Sequence, residues 1–309
     1  MLHDLRDRVN RFRFAHACAG ILRTPPVRPD PRSNAMLFTQ LQHKDVLMAL
    51  IAFKSFASKV PVGSLRILDD GSLTASDRAL LSEHLPGVVY LDLAEVRTPA
   101  CPTRGCWERL LWIARLSRDH YVVQLDSDTL TMGDIDEVGA CIDQGRSFAI
   151  GTWDDQEIEP MASRQADAAR HMAIEAGPHH VQVIAEAHFH RLQGVETLRY
   201  VRGCAGFSGF ARSSVELAFI ESISRQMDAV IGKTWSQWGS EQVMSNIVIA
   251  NAADAVVLPH PKYCDCSRIR SDVTAFIHFI GSCRFTGGAY QDQARAVIAR
   301  LLESEPPNA

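Results

Sequence analysis

The ten residues Tyr121 to Leu130, YVVQLDSDTL, constrain this chain more than any other stretch. Tyr121, Val122, Val123 and Leu125 make a short apolar run rich in β-branched and aromatic residues, the pattern of a buried strand. The run ends in Asp126-Ser127-Asp128. Two carboxylates one residue apart at the end of a buried strand are costly to bury unpaired. A divalent cation is their natural partner, because Mg2+ and Mn2+ take hard oxygen ligands and bind through one or two carboxylates plus phosphate groups. The position also suits a ligand, since open α/β sheets bind outside the carboxyl ends of their strands. The alternative is local: the aspartates cap a helix that begins at Gly133 or Asp134.

The flanking sequence alternates strand and helix patterns. Residues 35–39, 65–68 and 88–91 read as strands, and 45–57, 74–85 and 104–117 as helices, with Ser72 or Thr74 as an N-cap. Beyond the aspartates, 135–142 reads as helix and 148–151 as strand. Apolar strands alternating with helices predict a parallel sheet covered on both faces. Residues 154–200 lose this pattern, are polar with a helical middle, and hold His171, His179, His180, His188 and His190. No pair of these sits at metal-motif spacing beside a carboxylate, so a solvated insertion is expected there, and the acceptor region with it. The pattern resumes at 203–210 (GCAGFSGF), whose glycines allow close backbone approach or a tight bend. Helices follow at 214–229 and 240–250, strands at 255–258 and 276–280, and a closing helix at 289–302.

The expected organisation is a basic amino-terminal segment and Pro-rich linker, 1–34, followed by one catalytic domain, 35–303. Residues 1–32 carry seven Arg against three Asp, with Leu2, Leu5, Val9 and Phe12 on one helical face. Such a helix packs on its own domain or meets an anionic membrane surface. The chain has 309 residues, 46% hydrophobic and 22% charged, with net charge −4, so nothing points to nucleic acid. No apolar run nears the roughly 18 residues that span a membrane, and no secretory signal is visible. A cytoplasmic location, with optional contact on the inner membrane face, is expected. The eight cysteines form no Cys-x-x-Cys pair, and Cys264 and Cys266 are too close to bond each other. They are expected as reduced thiols filling the core.

Four stretches then line up in order: LDDGS (68–72), LDSD (125–128), WGSEQVMSN (238–246) and HFIGSCR (278–284). This series resembles the GT-A-fold nucleotide-sugar glycosyltransferases, most of all family 8 and its bacterial relatives. The resemblance spans about residues 35–290. It implies a Rossmann-like α/β fold with a mixed, mostly parallel central sheet flanked by helices. It also implies transfer of a hexose from a UDP-sugar to the hydroxyl of a glycan or other acceptor, with retention of configuration. In that family Asp-x-Asp binds Mn2+ or Mg2+ with the donor diphosphate, which falls here on Asp126 and Asp128. A His-x-x-Gly-x-x-Lys motif supplies a third ligand and a phosphate-binding cation; His278, Gly281 and Arg284 stand in that pattern, with Arg for Lys. Neutral imidazole suits such a metal, and Arg offers bidentate phosphate geometry. The resemblance further implies donor contacts from Arg109, Asp69 and Asp70. It puts Glu241 and Gln242, in place of the family's Asp-Gln, at the sugar face as catalytic candidates. Phe207 and Ser208 replace the usual Asn-x-Gly of the sugar pocket, and Phe285-Thr286 the usual Pro-Trp.

Other readings remain open at this level. Haloacid-dehalogenase-type phosphatases also use a strand ending in Asp-x-Asp, with Thr or Val where this chain has Leu130. A nucleotidylyltransferase of the same fold calls for a Gly-rich loop after the first strand, and residues 39–45 (TQLQHKD) have no glycine. A non-catalytic sugar-nucleotide-binding protein is the third.

Overall fold

The computed structural model describes residues 2–281 and 283–303, with side chains from residue 8 onward. Its strands are β1 (Ala35–Leu41), β2 (Ser64–Asp69), β3 (Val89–Asp92), β4 (Tyr121–Leu125), β5 (Thr129–Thr131), β6 (Phe148–Ile150), β7 (Glu159–Pro160), β8 (Arg199–Tyr200), β9 (Cys204–Phe210), β10 (Val256–Leu258), β11 (Tyr263–Asp265) and β12 (Phe276–His278). Its α-helices are α1 (Leu2–Ala17), α2 (Val46–Ala57), α3 (Ala75–His84), α4 (Trp107–Leu116), α5 (Asp136–Asp143), α6 (Met161–Ile174), α7 (Val181–Ala187), α8 (Leu217–Ile231), α9 (Ser240–Ala250) and α10 (Ala289–Glu303). The main sheet has seven strands in the order β10-β6-β9-β4-β1-β2-β3. It is mixed and mostly parallel: β1–β2, β2–β3 and β10–β6 run parallel, while β6–β9 is antiparallel. No helix among the described residues is long and apolar enough to cross a membrane.

The chain forms two compact units. The first comprises residues 1–92, 124–139 and 261–309. Its centre is β1, where Met36, Leu37 and Phe38 are fully buried, and α2, which is apolar almost all round and buried accordingly. One charge sits inside α2. Lys54 donates to the Thr24 carbonyl and hydroxyl and the Pro25 carbonyl, and its Nζ lies 2.9 Å from His84 Nδ1, so the buried ammonium is satisfied and the Pro-rich segment is tied down. Burial still pushes its pKa down to about 8. Thr74 caps α3 in a full capping box with Asp77, which explains the clean start of that helix.

The amino-terminal helix departs from its expected face. Val9 and Phe12 are exposed, at 40% and 74%; among the described side chains of the helix Phe14 is the buried one, and Cys18 and Ile21 are buried just beyond its end. Leu2 and Leu5 lie outside the described side chains. Phe14 is the anchor because it meets Tyr290 and Phe285, at 4.5 and 5.6 Å between centroids, while Arg11 pairs with Asp45 at 2.8 Å. A second correction concerns the cysteines. Cys266 and Cys283 form a disulfide across 17 positions, with 6.3 Å between Cα atoms, and the other six cysteines are not disulfide-bonded.

The second unit comprises residues 93–123 and 140–260. Here α4 begins at Trp107 rather than Arg104, because Arg104, Gly105 and Cys106 all hold positive φ. Residues 154–200 carry α6, α7 and the small antiparallel β7–β8 pair. Gly209 faces Phe148 across the β6–β9 pairing, and a Cβ there would lie 2.2 Å from the Phe148 ring and 2.5 Å from the Tyr121 hydroxyl. This glycine serves aromatic packing. Gly209→Ala is expected to cost about 1–3 kcal/mol by overpacking, read as a lowered midpoint in urea unfolding; an unchanged midpoint would show that the ring relaxes freely.

Candidate functional site

The chemistry-bearing side chains of the first unit collect just past the end of β4. The chain turns sharply after Asp126, whose carbonyl accepts from the Thr129 N–H at 3.2 Å and hydroxyl at 2.8 Å. Gln124 holds the Asp126 carboxylate at 2.7 Å. The residues after the aspartates then form β5 instead of entering a helix directly. β5 pairs antiparallel with β12, setting His278 opposite Thr129. The Phe279 N–H donates to the Asp128 carbonyl at 2.8 Å, which closes the register. One ligand atom each from Asp126, Asp128 and His278 then lies within 4.8 Å of the others.

This trio fits a divalent cation by donor chemistry: the two carboxylates suit a hard ion such as Mn2+, and the imidazole adds a nitrogen donor that first-row transition metals accept. With bonds of about 2.1 Å, adjacent ligands on such an ion stand about 3 Å apart and opposite ones about 4.2 Å. His278 Nε2 and Asp128 Oδ1 are 3.3 Å apart, close to the first spacing. Asp128 is 4% exposed and His278 8%. Arg284 forms an ion pair with Asp128 Oδ2, so the buried carboxylate faces two cation-capable groups. Burial alone would raise the Asp128 pKa; His278, then Arg284, outweigh it and hold the carboxyl down to about 2. Ligand carboxylates must be ionised, and this one is ionised throughout the neutral range. Behind the turn, the buried Tyr290 hydroxyl donates to the Ser127 carbonyl at 3.4 Å.

Asp69 and Asp70 lie in the same unit, at and just past the end of β2, and both build their loop. Asp69 accepts from the Gly71 and Leu73 N–H groups at 2.8 and 3.3 Å and pairs with Arg78 at 2.5 Å. Asp70 accepts from the Ser72 N–H and hydroxyl. Gly281 is exposed, and a Cβ added to it would meet no atom within 4 Å, so space is open beside it.

The remaining candidates belong to the second unit. Arg109 on α4 and Glu241 on α9 are partners, at 2.9 Å with both side chains 4% exposed. Ser245 donates to the other Glu241 oxygen at 2.9 Å. Gln242 is half-buried; its amide N–H donates to Gln182 at 3.3 Å and its oxygen accepts from the Ala205 N–H at 3.5 Å. Sequence reasoning does not find the group behind it. Gln182 donates to the Tyr200 hydroxyl at 3.3 Å, and Tyr200 donates to the fully buried Glu186 at 3.0 Å. Burial raises the Glu186 pKa, partly offset by Arg202. Gln182 and Glu186 stand out only as polar residues in the short apolar helix α7, and nothing local says that Tyr200 and Gln242 are their partners. Among the described residues the five histidines of 154–200 form no metal-ligand group.

Comparison with known proteins separates fold from sequence. No family model matches the chain, and no curated protein matches it. A solved structure of the bifunctional glycosyltransferase WbbM, in its apo form, matches with TM-score 0.50 and 13% identity, over 90% of this chain and 53% of that one. The chain thus spans about half the length of that relative. Its fold is that of the GT-A glycosyltransferases. Two further structures align less well. Core-mannan synthase A from Aspergillus fumigatus, in its Mn/GDP form, matches at TM-score 0.44 and 11% identity over 74% of each chain. The galactosyltransferase LgtC, with donor and acceptor sugar analogues, matches at TM-score 0.42 and 12% identity, over 88% of this chain and 98% of that one.

Proposed function

We propose that this chain is a metal-dependent glycosyltransferase that moves a hexose from a UDP-sugar to an acceptor hydroxyl with retention of configuration. The observation that carries the reading is the gathering of Asp126, Asp128 and His278 past the central strand, with Arg284 on the same carboxylate, in a chain of GT-A fold. In this reaction the bond between the anomeric carbon and the diphosphate oxygen breaks, the acceptor oxygen bonds to that carbon, and the hydroxyl proton departs. A divalent cation held by Asp126, Asp128 and His278 would supply positive charge for the leaving diphosphate. Arg284 would add a second cation, turning from Asp128 to a phosphate oxygen in bidentate contact. The open space at Gly281 lets phosphates approach the backbone there. The loop built by Asp69 and Asp70 would meet the nucleoside, and Gln242, half-buried and held by Gln182, would meet the sugar. Glu241 is engaged by Arg109 and Ser245, which favours a positioning role for both members of that pair over direct contact with substrate.

A panel of sugar nucleotides with Mn2+, read as release of free nucleoside diphosphate, tests this without knowledge of the acceptor. The expected result is slow release from one UDP-sugar, abolished by EDTA. No release from any donor, together with no UDP–Mn2+ binding by calorimetry, would refute it.

A further inference from the structure

The Cys266–Cys283 disulfide brackets the candidate metal and phosphate site. Cys266 directly follows β11, and its N–H donates to the His278 carbonyl at 3.1 Å. Cys283 directly precedes Arg284, and the N–H groups of both donate to the Ile280 carbonyl at 3.0 Å. The bridge therefore ties the turn that presents Arg284 to the strand beside His278.

A core of this size does not call for a staple. Disulfides substitute for missing apolar burial in domains much smaller than this one, and the first unit is built on the buried β1 and α2. The bridge closes only a short loop at the rim, where both cysteines are half-buried and within reach of a reductant. Exposed bridges are the more reducible ones, and in a reducing compartment such bonds are characteristically transient and redox-sensing. Three of the other thiols fit that contrast. Burial pushes Cys18 up to about 12 and Cys101 and Cys264 to about 11, which leaves them protonated and inert at neutral pH.

We infer that the Cys266–Cys283 pair is a reversible redox site that controls how firmly the Arg284 turn is held for a diphosphate ligand. Reduction takes one dithiol. A thiolate of the reductant attacks one bridge sulfur and displaces the other as a thiolate, giving a mixed disulfide. The second thiol of the reductant then resolves it. Two electrons and two protons pass to Cys266 and Cys283, and the reductant leaves as its own disulfide. With the bridge open, the Arg284 turn loses its covalent tie to β11 and keeps its backbone bonds, the Arg284 contacts with Asp128 and the Phe279 carbonyl, and the packing of Phe285 on Phe14. Ligand binding must then order it. The ligand assignment rests on the function proposed above; the redox chemistry of the bridge does not.

The test compares the full chain as oxidised, as reduced with dithiothreitol, and as Cys266→Ser and Cys283→Ser. Two readouts are taken: amide hydrogen exchange over residues 283–288, and affinity for UDP with Mn2+. Expected are faster exchange and about tenfold weaker binding in the reduced chain, the loss that follows when the competent arrangement is about a tenth populated. Both serine variants should match the reduced chain and ignore dithiothreitol. Equal exchange and equal affinity in both states would overturn the inference, as would eight titratable thiols in chain purified without reductant. Exchange that responds to reduction while neither form binds UDP would uphold the redox site and sink the proposed function.

Discussion

Asp128→Asn is expected to weaken Mn2+ binding at least about a hundredfold, since changes to groups that only support a metal ligand already cost ten- to a hundredfold. Metal-dependent donor turnover should fall with it. The reason is specific to this side chain. Asp128 is buried, its Oδ1 faces His278 and its Oδ2 faces Arg284, so one carboxylate serves both a metal position and a cation. Asn keeps the shape and removes the charge, leaving two cation-capable groups beside a neutral amide. A second consequence is lower stability. Because the folded pKa is depressed, the stabilising contribution of the ionised carboxylate is present above the unfolded carboxylate value of about 3.9 and is lost as pH falls towards about 2. The stability deficit of Asp128→Asn should therefore be full at neutral pH and shrink in acid. Calorimetric Mn2+ titration and thermal melts across pH check both parts. Retention of EDTA-sensitive turnover in the variant would remove Asp128 from the metal site.

Breaking the Arg109–Glu241 pair should have the largest effect on stability. Each side chain is 4% exposed, so a single replacement takes the 2.9 Å ion-pair partner from a charge that stays buried. Such losses run to about 3–5 kcal/mol, whereas replacing both partners with apolar residues is often neutral. Arg109→Ala and Glu241→Ala should each lower Tm by about 5–8 °C for a chain of this size. Arg109→Met with Glu241→Leu should recover most of that. The recovered double variant also separates positioning from folding: if the pair only supports the fold, its donor KM and kcat return with its Tm. Single variants that melt with the parent would show that the pair carries no net interaction.

The local elements of the chain are readable from periodicity because their determinants are local. The apolar run of β1, the all-round apolar α2, and Thr74 with Asp77 at the start of α3 each carry their own signal within a few residues. The strand ending at Leu125 and the two aspartates after it are legible for the same reason. Helix α4 starts three residues later than its pattern suggests, because left-handed φ at Arg104 and Cys106 has no signature in residues of those types. The disulfide is not legible, because Cys266 and Cys283 become neighbours only once β11 and β12 pair.

What the amino-acid sequence determined by itself, then, is an alternating α/β chain with two carboxylates at the end of a buried strand, and, through resemblance, the residues that would join them. What only the tertiary structure decided is the joining. β12 is marked in the sequence as a strand, but β5, three residues long, is too short for periodicity to announce it, and only the antiparallel register of the two sets His278 opposite Thr129 and beside Asp128. In the same way, nothing near Arg109 or Glu241 in the chain announces their pairing. A buried charge demands a partner of opposite sign, but which partner it receives depends on how distant backbones pack, and that is a property of the fold.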